Sequence, residues 1–192
     1  PLLYAYDGIF SLGIVKGILE NHSIWVNPHL GFPNGYIGYD FPMTESFHVL
    51  LVVLLGVIFW HDPIIITNVF YLLSFVLAAL TSLWVLRYYK ISYPLALAGA
   101  TVFTFLPYHF YRSTMHLFLS SYFTIPLWCA VITTIYQTGK LRLHSNNVLN
   151  ILFILLLSYV LSSTGIYYTF FGCFFLICVA IIVWSEKRTS AA

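Results

Sequence analysis

Long apolar segments almost free of charged residues dominate the chain after residue 46. The segment at 63–86 reads PIIITNVFYLLSFVLAALTSLWVL and contains no Asp, Glu, Lys or Arg. A helix needs about 20 apolar residues to cross the hydrocarbon core of a bilayer. The whole chain is 60% hydrophobic and 7% charged, whereas a soluble domain is about 25% charged. Such a chain cannot cover a globule with polar surface, so the sequence predicts an integral membrane protein.

Four apolar segments qualify as membrane spans. The last of them is too long for one span and is expected to break at the sequence SSTG into an antiparallel pair. The predicted spans are 63–86, 93–111 with the helix continuing through Pro107, 120–137, and the pair 147–162 and 166–184. The predicted fold is therefore all-α: a polytopic helical membrane protein, GT-C-like as argued below, with about four transmembrane helices.

Two further helices are predicted before the first span. Residues 46–60, SFHVLLVVLLGVIFW, reach roughly 22 Å as a helix, which is short of the roughly 30 Å hydrocarbon core. Residues 7–21 form a mostly apolar helix whose narrow polar face carries Lys16 and Glu20. We predict that both helices lie in the membrane interface. The chain then divides into an extracytoplasmic loop region, 1–62, and a transmembrane region, 63–192.

The distribution of charges predicts the orientation. If the segment 46–60 does not cross the bilayer, six of the eight basic residues fall on one side, which the positive-inside rule makes cytoplasmic. The opposite side then holds five of the six acidic residues and six of the seven histidines. The expected location is the cytoplasmic membrane, with the active face extracytoplasmic. That face includes NPHLGFPNGYIGYDFP, residues 27–42, which is rich in proline and glycine.

The acidic residues of this face are candidates for a general base. Asp7 opens the helix 7–21, where it also suits an N-cap. Asp40 follows a Gly- and Pro-rich loop and fits either a turn residue or a ligand. Glu45 favours the dipole of the helix that it precedes, and Asp62 suits an N-cap of the first span. Each alone has a structural explanation, but together they place several carboxylates beside two surface helices.

The sequence LPYHFYRSTMH, residues 106–116, holds a second polar cluster. A helix here would place His109, Arg112 and His116 on one stripe. Arg binds phosphate through two hydrogen bonds, so a lipid phosphate is the expected ligand, although a lone Arg also snorkels to headgroups. A divalent metal held by His109, His116 and a carboxylate stays open, without a diagnostic spacing. Tyr167 faces the same side and otherwise suits an aromatic belt.

Motifs of several common enzyme classes have no match in the sequence. CxxC, HExxH, the P-loop, GxSxG and the dinucleotide fingerprint are missing, so ATP-driven and serine-hydrolase chemistry have no support. The alternative to an enzyme is a non-enzymatic polytopic protein, either a transporter or a structural subunit. The spans are almost free of charge, which argues against a transporter with ionisable groups near the midplane.

Taken in order along the chain, several motifs resemble those of the GT-C class of membrane glycosyltransferases, especially the YfhO-like branch and its dolichyl-phosphate-mannose mannosyltransferase-like relatives. These motifs are an Asp that opens a surface helix, ENHSIWVNPHLGFPNG, a short apolar helix, RYYK, LPYHFYRSTMH with IPLW, and TGIYYTFF. The resemblance extends over essentially the whole chain. It corresponds to the early part of such a protein, so we expect this chain to be an N-terminal fragment that is inactive alone.

The resemblance implies transfer of a sugar from a polyprenyl-phosphate-linked donor to a glycan, lipid or protein acceptor at the extracytoplasmic face. It implies that Asp7 is the base that activates the acceptor and that Arg112 suits the donor phosphate. The other predicted binding residues, which come from the polar clusters described above, are His109, His116, Asp40 and Tyr167. A second acidic residue of several such enzymes has its nearest match here in His116, so metal dependence stays open. Membrane lipids are the remaining expected partners, and nucleic acid is not expected.

Overall fold

A computed structural model describes residues 7–39, 45–138 and 148–189, with side chains as far as residue 185. These ranges form eight helices and one two-stranded hairpin. The helices are α1 (Asp7–Asn21), α2 (Ser46–Ile58), α3 (Pro63–Tyr88), α4 (Tyr93–Thr104), α5 (Pro107–Arg112), α6 (Thr124–Thr138), α7 (Val148–Ser162) and α8 (Ile166–Thr189). The strands β1 (Val26–Asn27) and β2 (Tyr36–Ile37) pair antiparallel between α1 and α2.

Among the described residues, two helices are long and apolar enough to cross a membrane. Helix α3 has 26 residues, which corresponds to about 39 Å, and the apolar part of α8 has 20. Only 6% of the apolar window of α8 is buried, and an exposed helix of this composition suits lipid better than water. The prediction of a mainly helical chain is confirmed, and membrane spans are supported at these two helices. The arrangement of about four spans stays a prediction.

The sequence HDP fixes the start of α3. The Asp62 Oδ1 atom accepts hydrogen bonds from the backbone N–H groups of Ile64 and Ile65, at 2.9 and 3.0 Å. Pro63 occupies the first turn, where a helix does not need a backbone N–H. The N-cap role predicted for Asp62 is therefore confirmed.

The apolar segment 93–111 is two helices, not the single helix predicted. Helix α4 ends at Thr104 and α5 begins at Pro107, because proline lacks an N–H and restricts the residue before it. Helix α4 has 12 residues, or roughly 18 Å, so the chain returns along about half of α3 before it breaks. His109 of α5 accordingly bonds to Ser74, near the middle of α3.

Residues 113–123 lead from α5 to α6 and carry the chain to the beginning of α3. Ser113 has a φ of 44°, a conformation that an α-helix cannot continue through, and turns follow as far as residue 123. Leu117 lies in the same core cluster as Ile66 and Phe70, which belong to the first third of α3. Residues 113–123 therefore lie beside the first third of α3, as α1 and α2 do, whereas α5 lies beside the middle of α3.

The core of the described chain forms where α1 and α2 pack against the first third of α3. Its buried side chains are Val15, Ile18, Leu19, Val52, Leu55, Ile66, Phe70, Tyr71 and Leu117. Burial of one large apolar side chain contributes about 1.5–3 kcal/mol. Helices are thus found at both positions predicted before the first span, and α2 ends two residues earlier than expected. Their place in a membrane interface stays a prediction.

The Pro- and Gly-rich segment forms a short β-hairpin that packs on α1. Asn27 is buried against Gly17 of α1, where an added Cβ atom would lie 2.9 Å from the Asn27 Nδ2 atom. Gly17 therefore permits the close approach of the hairpin. Asp40, which follows the hairpin in sequence, lies outside the described residues.

Candidate functional site

A groove of about 760 Å³ opens between α1, residues 115–119 and the beginning of α8. Apolar side chains form most of its wall. The polar and titratable side chains that line it are Asp7, Ser11, Glu45, His116 and Tyr167. A concave apolar surface with a few convergent polar groups is the usual form of a ligand-binding site. The groove therefore brings together three predicted site residues, Asp7, His116 and Tyr167. It also includes Glu45, one of the acidic residues predicted on this face.

Asp7 and His116 face each other in this groove. The Asp7 Oδ2 atom lies 3.8 Å from the His116 Nδ1 atom, and the two side chains are 62% and 36% exposed. Water screens a pair of this kind, so it contributes little to stability. Ser11, one turn after Asp7, donates a hydrogen bond to the Met115 carbonyl at 3.4 Å, which fixes α1 beside the segment that carries His116. The Asp7 carboxylate therefore lies beside His116 and is open to a ligand.

A second carboxylate–histidine pair lies at the start of α2. Glu45 precedes the helix but makes no side-chain capping hydrogen bond, and its Oε2 atom bonds to the Nδ1 atom of His48. Both side chains are buried, at 9% and 0% exposed. In the sequence, Glu45 was explained by the helix dipole, and no role was predicted for His48. The available signal was their spacing of three residues, which puts both side chains on one helical face.

The turn between α7 and α8 holds the start of α2. The backbone N–H of Phe47 donates to the Ser163 carbonyl at 3.1 Å, and the Phe47 ring meets the Tyr159 ring at 6.4 Å. Gly165 in this turn has a φ of 82°, which glycine adopts with little strain. The break predicted at SSTG is therefore present, and it positions the residues next to Glu45.

Arg112 does not line the groove. The stripe predicted for His109, Arg112 and His116 does not form, because α5 ends at Arg112. The guanidinium carbon lies 5.2 Å from the centre of the Tyr108 ring, which is a cation–π contact. The Arg112 Nε atom is buried and has no hydrogen-bond partner among the described residues. An unsatisfied buried donor costs about 1–3 kcal/mol.

An apolar cavity of about 450 Å³ lies between α4, α6 and α8. Tyr108, the ring beneath Arg112, forms part of its wall together with Tyr168, and the two hydroxyl groups are 3.2 Å apart. Phe171 lines this cavity and also the groove. The cavity and the groove therefore share a wall, with Arg112 beside one and Asp7 in the other.

His109 belongs to the core and not to the groove. Its Nε2 atom lies 2.7 Å from the Ser74 Oγ atom, and its Nδ1 atom lies 3.1 Å from the Thr104 carbonyl oxygen. The ring stacks on Phe75 with the centroids 3.6 Å apart. Both nitrogens are thus used within the protein, so the placement of His109 beside His116 is wrong. In the part of the chain that the structure describes, no three His, Cys, Asp or Glu side chains are grouped to hold a metal ion.

No protein-family model, no curated protein and no solved structure matches the chain. The resemblance to GT-C enzymes therefore rests on the motifs of the sequence and stays a prediction.

Proposed function

We propose that the protein is a membrane glycosyltransferase that moves a sugar from a polyprenyl-phosphate-linked donor to a hydroxyl group of an acceptor. The observation that carries this proposal is the groove in which Asp7 lies 3.8 Å from His116. A positioned carboxylate that is open to a groove can act as a general base. The same aspartate is the residue that the GT-C resemblance implies for this role.

In the proposed reaction, Asp7 takes the proton of the acceptor hydroxyl while the hydroxyl oxygen attacks the anomeric carbon of the donor sugar. The bond between that carbon and the phosphate oxygen breaks, and the lipid phosphate leaves with the electron pair. His116 orients the Asp7 carboxylate, and Tyr167 offers a further hydroxyl group from the opposite wall. Asp40 keeps its proposed role in binding the acceptor, although it lies outside the described residues.

Arg112 is proposed to bind the phosphate of the donor. Its guanidinium group matches phosphate geometry with two hydrogen bonds, and a cation there stabilises the charge that develops on the leaving group. The adjoining apolar cavity suits the start of an isoprenoid chain. The cavity and the groove share the side chain of Phe171 as a common wall. A sugar on the phosphate would therefore lie near the acceptor in the groove.

A multi-pass arrangement with the groove on the extracytoplasmic face is part of the proposal. Asp62 caps one end of α3, and Arg87 and Lys90 lie at the other end, which the positive-inside rule makes cytoplasmic. In a variant whose three free cysteines are replaced by alanine, Asn34→Cys should react with an impermeant thiol reagent in intact cells. Lys90→Cys should react only after lysis, and the reverse labelling would contradict this orientation.

The enzymatic proposal is tested with the full-length protein in lipid nanodiscs and a panel of undecaprenyl-phosphate hexoses, with octyl β-glucoside as the acceptor. Asp7→Asn should lower transfer by about 100-fold or more, since general-base catalysis contributes about 10²–10⁴-fold. Glu20→Gln is the matched control, because Glu20 lies on the exposed face of α1 and pairs with Lys16 at 3.7 Å. Undiminished transfer by Asp7→Asn contradicts the assigned base. A transporter or structural subunit would leave every donor unconsumed.

A further inference from the structure

The two buried histidines of the described chain are bonded in different ways. His109 uses both ring nitrogens, on Ser74 and on the Thr104 carbonyl. His48 uses only Nδ1, on Glu45, and its Nε2 atom is buried without a partner among the described residues. A histidine kept for packing alone would satisfy both nitrogens, as His109 does. The polar contact of His48 is therefore directed at Glu45.

The His48 ring has a fixed orientation. It stacks on Phe118 with the centroids 5.0 Å apart and the planes at 12°, and it meets the edge of Phe70 at 5.5 Å. Rings packed on two sides cannot rotate freely, so the direction of the Nδ1 atom is set. The Glu45 carboxylate that it bonds is set with it.

Glu45 is buried, yet its side chain forms part of the groove wall. Burial of a carboxylate is unfavourable unless it is paired, and α2 gains no capping hydrogen bond in return. A desolvated carboxylate with a specific partner in a cleft is a common feature of functional sites. No Lys or Arg is among the described residues that line this groove, so the groove favours a ligand that donates hydrogen bonds over an anion.

We propose that Glu45 binds a hydroxyl group of the acceptor and that His48 is its positioning residue. This inference rests on the proposed function, and it identifies the acceptor as a polyhydroxyl compound with one hydroxyl on Glu45 and the reacting hydroxyl on Asp7. An ionised carboxylate only accepts hydrogen bonds, so it matches an O–H donor. Phe170 and Phe171, in the same groove, offer flat apolar surfaces to the C–H face of a sugar ring.

The test is the steady-state kinetics of Glu45→Gln with octyl β-glucoside as the acceptor. Glutamine keeps the length of the side chain and an oxygen for His48, but it removes the charge. The KM for the acceptor should rise roughly tenfold to 100-fold through loss of a charge-assisted hydrogen bond, while the KM for the donor stays unchanged. His48→Phe, which keeps the ring packing and loses Nδ1, should raise the same KM less. Glu20→Gln should change neither value.

An acceptor KM equal to that of the unmodified protein in Glu45→Gln would overturn the inference, as would equal changes for donor and acceptor. If Glu45→Gln does not fold, His48→Phe gives the same test, and His48→Asn, which restores an N–H donor, should recover part of the loss.

Failure of the proposed function is distinguished by binding without turnover. Saturation-transfer NMR should show the glucoside ring in contact with the unmodified protein but not with Glu45→Gln, and 1-octanol is the matched ligand without the sugar. A protein that keeps this Glu45-dependent contact but transfers no sugar contradicts the proposed function alone, and absence of the contact overturns the inference.

Discussion

Two carboxylate–histidine pairs border the same groove, and their surroundings differ. Asp7 and His116 come from distant parts of the chain and are partly exposed, whereas Glu45 and His48 are three residues apart and buried. An exposed carboxylate–histidine contact contributes about 0–1 kcal/mol, but a buried polar group left without its partner costs about 1–3 kcal/mol. The comparison teaches that the first pair can take up a ligand at little cost to stability, whereas the second pair lines the groove and also contributes to the fold.

The largest difference between the two pairs should appear in stability. Glu45→Ala leaves the buried Nδ1 atom of His48 without its partner, so the free energy of unfolding should fall by about 1–3 kcal/mol. Asp7→Ala should change it by about 1 kcal/mol or less, because water already screens that carboxylate. Denaturant unfolding in mixed micelles, followed by circular dichroism, measures both values. Equal losses in the two variants would show that the surroundings of the pairs do not differ as described.

A smaller difference is expected in the chemical reactivity of the two histidines. The side chain of His116 is 36% exposed and that of His48 is 0% exposed. Diethyl pyrocarbonate should therefore modify His48 at a rate at least roughly tenfold lower than that of His116, because local opening must precede the reaction. Mass spectrometry of the labelled protein gives the two rates, and His109, which is also buried, is the internal reference. Similar rates for His48 and His116 would contradict the burial of the second pair.

Much of the helical structure could be predicted because its signals are local. The continuous apolar run of 63–86, the cap residue before Pro63 and the break at SSTG are all signals read from neighbouring residues. The prediction for 93–111 was wrong for an equally local reason. Continuity through Pro107 was assumed, although proline ends a helix more often than it continues one.

The candidate site was only partly predictable. Charge sidedness placed Asp7 and His116 on the same side, but only packing between α1 and residues 115–119 brings them to 3.8 Å. His109 was misplaced because a helical stripe was extended beyond Arg112, where the positive φ of Ser113 ends the helix. Glu45 was not predicted as a binding residue, because an acidic residue before a helix is already explained by the helix dipole. Its burial depends on tertiary contacts.

The central claim, that Asp7 performs the chemistry in this groove, is tested most directly by single-turnover transfer. The protein is loaded with a radiolabelled undecaprenyl-phosphate hexose, mixed with saturating octyl β-glucoside, and sampled for label on the acceptor. In Asp7→Asn the label should remain on the lipid about 100-fold longer than in the unmodified protein, with binding of both substrates unchanged. Transfer by Asp7→Asn at the rate of the unmodified protein would contradict the claim.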